Sequence, residues 1–178
     1  MELLKRSLMV LAVILLLLII WGEIKLTIFT QRADVVSLVK AVSVDIYLLN
    51  QNGELLFKQH EPKNLLDLNQ DAIHNSLAEI TETEKKIIEL EGGVQKSERF
   101  GSISKKRYVQ LLSLISNADS LTDEYKKAAN LLHGCTLTYN ELDAKQAKKI
   151  IDTLQCRSTE FTTLAAEILN EMKFNTKK

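Results

Sequence analysis

Asp71 and His74 stand three residues apart in a stretch patterned as helix, so both fall on one face and could share a metal ion. A closed site needs further ligands, and neither His60 nor His133 stands at ligand spacing from the pair. A solvated polar face is the expected role. Cys135 and Cys156 complete the set of soft ligands. Two thiols without a CxxC make a poor zinc site, and the absence of CxxCH excludes ordinary covalent haem attachment. In an oxidising compartment they are expected to form one disulfide, Cys135–Cys156; the alternative is two buried thiols packing as small apolar residues. No GxSxG, HExxH, phosphate-binding loop or dinucleotide fingerprint occurs. The carboxylates lie mostly among lysines, as in Glu82, Glu84, Lys85 and Lys86, the pattern of a wetted helix face. Catalysis, a cofactor and a resident metal are therefore not expected.

One cluster remains. Lys96, Arg99, Lys105, Lys106 and Arg107 flank or lie within the stretch GGVQKSERFGS (92–102), with Phe100 among them. Such a group can serve as an anion- or partner-binding tip. An ordinary charged loop and helix start is the alternative. The whole chain carries zero formal net charge, which excludes a general nucleic-acid binder.

The elements that must position these residues begin with Ser7 to Trp21, SLMVLAVILLLLIIW, an unbroken apolar run behind Lys5 and Arg6. Ser7 to Gly22 spans roughly 24 Å as a helix, against about 30 Å for a bilayer core. Ile24, Leu26, Ile28 and Phe29 continue the apolar content, and Glu23 and Lys25 can reach the headgroups. Trp21 suits the interface, and no small-residue cleavage site follows it. An uncleaved signal-anchor over 7–29 is expected, a cleaved signal peptide being the alternative, with residues 1–6 cytoplasmic and the rest outside the cytoplasm. No later stretch is apolar enough for a second span.

Residues 30–174 are expected to form an all-α domain, an antiparallel bundle of three to four helices, with 175–178 frayed. One proline and six glycines are consistent with mostly helix. Val35, Val39, Val42, Ile46 and Leu49 recur at steps of four and three, a heptad-like seam collinear with the anchor. It can pack within the chain or form a dimer stalk. Gly53 is expected to close this helix. Alternation at Val42, Val44, Ile46 and Leu48 admits a hairpin over 42–57, which resembles the start of a PAS- or Cache-like sensor domain. Nothing downstream reads as strand, so helix is preferred.

A second helix is expected from Asp67, with Gln70 completing a capping box, to Gly92-Gly93. Its buried face would be Ile73, Leu77, Ile80 and Ile87, interrupted by Glu84. A third, capped by Ser102 or Ser104, should run to His133-Gly134. The last should start at Asp143, with a stripe of Ala147, Ile150, Ile151, Leu154, Phe161, Ala165, Ile168 and Met172. A bridge to Cys156 then requires the connection from Cys135 to fold back along the hairpin.

The order of anchor, long membrane-proximal helix and antiparallel helices resembles the opening of bacterial chemoreceptors and sensor kinases with four-helix-bundle ectodomains. The likeness is one of layout; this chain has neither their second span nor a cytoplasmic signalling module. The expected function is a non-catalytic, membrane-tethered interaction or scaffold protein of the bacterial inner membrane, its domain periplasmic, with a protein partner and a possible homodimer. A small-molecule-binding sensor-like ectodomain is the alternative, and an envelope enzyme the third.

Overall fold

The computed structural model describes residues 2–58, 70–138 and 141–174. These form four helices: α1 (Glu2–Lys58), α2 (Gln70–Arg99), α3 (Lys105–Thr138) and α4 (Glu141–Phe174). There is no strand among the described residues, which removes the hairpin alternative over 42–57 within its described part. The caps expected at Asp67, and Pro62 before it, lie outside the described residues.

Named contacts set the directions. Lys86 on α2 donates to Asp45 on α1 at 2.7 Å, and a Cβ placed on Gly93 would stand 3.5 Å from Leu38 and 3.7 Å from Val35. As α2 advances, α1 therefore recedes. Lys126 on α3 reaches Glu84 on α2 at 2.7 Å. Arg107 pairs with Glu171, and Arg157 with Glu124, so α3 and α4 also run oppositely. Arg32 donates to the Met172 carbonyl, and Gly53 faces Ile151, which closes α4 against α1. Each of α1 and α3 packs on both α2 and α4, while α1 and α3 meet only across the diagonal. One diagonal contact is polar and buried: the Tyr125 hydroxyl donates to Asn50 Oδ1 at 2.9 Å.

The core follows the helical stripes. Val35, Val39, Val42, Ile46 and Leu49 are all buried inside the chain's own bundle. On α2 the stripe passes through Thr83, which is 1% exposed, and leaves Glu84 at the edge to meet Lys126. The Thr83 hydroxyl is satisfied by donating to the Glu79 carbonyl at 2.8 Å, so a polar residue occupies the core without an orphaned group. Ser158 bridges the gap between Leu154 and Phe161 on α4 in the same way, donating to the Gln155 carbonyl at 3.0 Å.

Three expected helix ends are corrected. α1 continues through Gly53, α2 through Gly92 and Gly93, and α3 through Gly134. A glycine in a helix interior costs about 1 kcal/mol relative to alanine. At Gly53 a Cβ would approach Ile151 Cγ2 to 3.2 Å, so the bare backbone admits α4. Beyond Gly93, α2 still buries Val94 and Ser97 completely. Burial at each place outweighs the propensity penalty, and the helix runs on.

From Val13 to Thr30 α1 follows another rule. Eight consecutive side chains, Val13 to Ile20, are each 44–61% exposed, and so are Trp21, Ile24, Leu26 and Phe29 at 51–66%. Burial begins at Gln31. α1 is thus long and apolar enough to cross a membrane, by length and composition, and none of its most apolar window is buried within the protein.

Candidate interaction surface at the α2–α3 turn

The cluster picked out by sequence charge sits on a closed turn. Gly101 has φ +67°, the left-handed conformation that favours glycine. Its N–H donates to the Glu98 carbonyl at 2.9 Å, and the Ser102 N–H donates to the Ser97 carbonyl at 2.9 Å. This is a Schellman closure of α2, with Gly101 as the residue just past the helix end. The Ser102 hydroxyl also donates to the Ser97 carbonyl, at 2.8 Å. Ser104 then caps α3, accepting the Arg107 N–H on its Oγ at 3.3 Å. The expected loop 92–102 is therefore mostly helix, and the connection proper is 100–104.

The turn projects its charge outward. Lys96, Arg99, Lys105 and Lys106 are exposed, and Phe100 is 56% exposed at the tip. Those four cations make no ion pair among the described residues; Arg107 differs, being half-buried and paired with Glu171. Beneath the turn lies a polar layer that the stripe pattern did not reveal. Gln31 Oε1, Ser97 Oγ, Arg107 Nη1 and Gln110 Oε1 are buried with no hydrogen-bond partner among the described residues. Gln31 stands four residues before Val35, at the seam's own spacing, and this was the signal available in the sequence.

At the other end of the bundle the cysteines are not joined to each other. Cys135 is buried and Cys156 is exposed. The expected disulfide required the segment after Cys135 to fold back. Instead α3 stays helical to Thr138 and α4 starts at Glu141. Arg157 pairs with Glu124, so Cys156 lies level with a point about 16 Å along α3 from Cys135, well beyond disulfide reach. Burial, with Asp143 nearby, pushes the Cys135 thiol above its ordinary pKa.

Asp71 and His74 lie together on the first turns of α2, and the fold brings His133 of α3 to the latter, ring centroids 5.5 Å apart and tilted by 39°. No group of three or more His, Cys, Asp and Glu side chains converges as a metal site among the described residues. One open groove follows the outer face of α4, lined by Asp152, Cys156, Glu160 and Glu167. It is a furrow on one helix; another groove lies between α3 and α4, lined by Asn117, Leu121, Arg157 and Phe161.

No known protein family, curated protein or solved structure matches this chain.

Proposed function

We propose that the chain is a membrane-tethered helical interaction protein, non-catalytic, whose bundle stands outside the cytoplasm on a single N-terminal span of the bacterial inner membrane. One observation carries the tether: the apolar side chains from Val13 to Leu26 ring the whole circumference of α1 and none of the other three helices covers them. Burying one leucine-sized side chain is worth about 1.5–3 kcal/mol, so a run of this length in water is untenable without an apolar medium. Lys5 and Arg6, before the run, support a cytoplasmic N-terminus. Lys25 lies 3.6 Å from the Trp21 ring centroid, a cation on an aromatic face as suits the headgroup zone.

An outward apolar patch on the same helix supports the interaction role. Val44, Tyr47 and Leu48 are 46–55% exposed on the side of α1 away from the core. Their spacing of three and four makes one strip, the form in which a helix offers itself to another protein.

The tether is tested on the full-length chain produced in a bacterium. After alkaline carbonate washing it should remain with the membrane pellet, and a C-terminal alkaline phosphatase fusion should be active while a green fluorescent fusion stays dark. Release into the supernatant, or the opposite reporter pattern, overturns the anchor or its orientation respectively.

A further inference from the structure

The basic turn and the apolar half of α1 belong to the same end of the molecule. Gly93 packs beside Val35 and Leu38, and α2 then runs antiparallel to α1 for seven more residues before Phe100. At 1.5 Å per residue, Phe100 stands roughly 10 Å beyond Val35, level with residue 28 or so of α1. The Trp21–Lys25 pair is only about one to two turns further on. α3 starts and α4 ends at this level too, since Arg107 pairs with Glu171 and Arg32 donates to the Met172 carbonyl.

Cations are concentrated at the turn. Within 96–107 there are five cations, Lys96, Arg99, Lys105, Lys106 and Arg107, against the single carboxylate Glu98. The helices at the opposite end begin with Asp71, Glu141 and Asp143. Lys126, Lys127, Lys145, Lys148 and Lys149 balance the carboxylates toward that end, so the cationic excess is local to the turn. Cations at the start of α3 are mildly unfavourable for that helix, so helix stability does not explain them. An exposed aromatic at the tip of a rigid, Schellman-closed turn, ringed by cations without ion pairs, has the chemistry of an interfacial membrane contact.

We infer that the α2–α3 turn docks on the bilayer that holds α1, Phe100 entering the interface and Lys96, Arg99, Lys105 and Lys106 pairing with anionic lipid headgroups. The inference rests on the tether reading. Two contacts, one spanning and one peripheral, fix the tilt of the bundle on the membrane, where a span alone leaves it free to lean. The docking is electrostatic in large part, so it weakens about fivefold per cation removed and is screened by salt.

The test uses the full chain reconstituted in vesicles of phosphatidylcholine with a minority of phosphatidylglycerol, the acyl chains brominated near the headgroup to quench tryptophan. Trp21 in the unaltered chain reports the tether. A Phe100→Trp, Trp21→Phe chain reports the turn, and a Leu137→Trp, Trp21→Phe chain serves as the control at the far end. The turn should be quenched severalfold more than the control. That excess should vanish in half-molar salt, in phosphatidylcholine alone, and on adding Lys96→Gln, Arg99→Gln, Lys105→Gln and Lys106→Gln, with the helical circular dichroism unchanged. Trp21 quenched with the turn no more quenched than the control overturns the docking and leaves the tether standing. Excess quenching that persists without phosphatidylglycerol or in salt overturns the headgroup pairing. An unquenched Trp21 removes the tether and the docking with it.

Discussion

α1 contains two regions built on one continuous backbone. From Val13 to Ile20 every side chain is apolar and every one is exposed, so no face differs from another. From Gln31 to Leu49 burial recurs at steps of three and four, and the positions between include Arg32, Asp34, Ser37, Lys40, Ser43 and Asp45 as well as the outward strip at Val44, Tyr47 and Leu48. The difference teaches that apolar content alone does not make a core. Three partner helices can cover one stripe of a helix; a helix apolar all round needs a surrounding medium.

The largest expected effects come from putting the same charge in each region. Ile46→Arg, at a fully buried position, should abolish cooperative unfolding of the full chain in detergent, because the ion is desolvated without a partner. Leu17→Arg should leave that unfolding transition unchanged and reduce membrane retention, at a cost of about 3 kcal/mol for insertion. If both variants lose the transition, the two regions are one folding unit and the comparison fails. Ile46→Ala should cost about 2–5 kcal/mol, read from chemical denaturation.

Glycines sharpen the contrast between covered and open faces. A Cβ on Gly92 meets nothing within 4 Å, so Gly92→Ala should stabilise by about 0.5–1 kcal/mol, raising Tm by roughly 1–4 °C. Gly53→Ala should gain less or lose outright, since its methyl presses on Ile151. Equal gains at both would mean that α4 does not approach α1 there.

The smallest effects are titrations. The hydrogen bond and charge of Glu84 hold the Lys126 ammonium above its ordinary pKa. A raised folded-state pKa means that the native chain keeps a proton the unfolded chain gives up. Its stabilisation is therefore complete below the ordinary lysine value and fades as pH climbs through the higher folded one. Glu84→Gln should flatten that alkaline decline in Tm slightly. Of the thiols, exposed Cys156 should react with a maleimide at near-neutral pH at least about tenfold faster than Cys135, which is shielded and whose ionisation burial opposes. Failure of both thiols to react after denaturation without reductant would restore the disulfide.

Much of this was legible in residue order. The seam from Val35 to Leu49 is the α1 contribution to the core, and the stripe of α4 holds, with Ile150 falling to the margin. The apolar run from Ser7 to Trp21 and the Ser104 cap are short-range signals and needed nothing else. Gln31 and Thr83 were missed because a polar residue in an apolar stripe looks like a break until its neighbours are known.

By itself the order of residues determined helical character, the apolar stripes and the all-round apolar start of α1, because each depends on side chains within a turn or two of one another. Tertiary structure decided where the helices end, since burial against another helix offsets the cost of Gly53, Gly93 and Gly134. It also decided that Cys135 and Cys156 stand apart and that the basic turn shares an end with the apolar run. Those are matters of level between antiparallel rods, and level is set by long-range packing that no local spacing encodes.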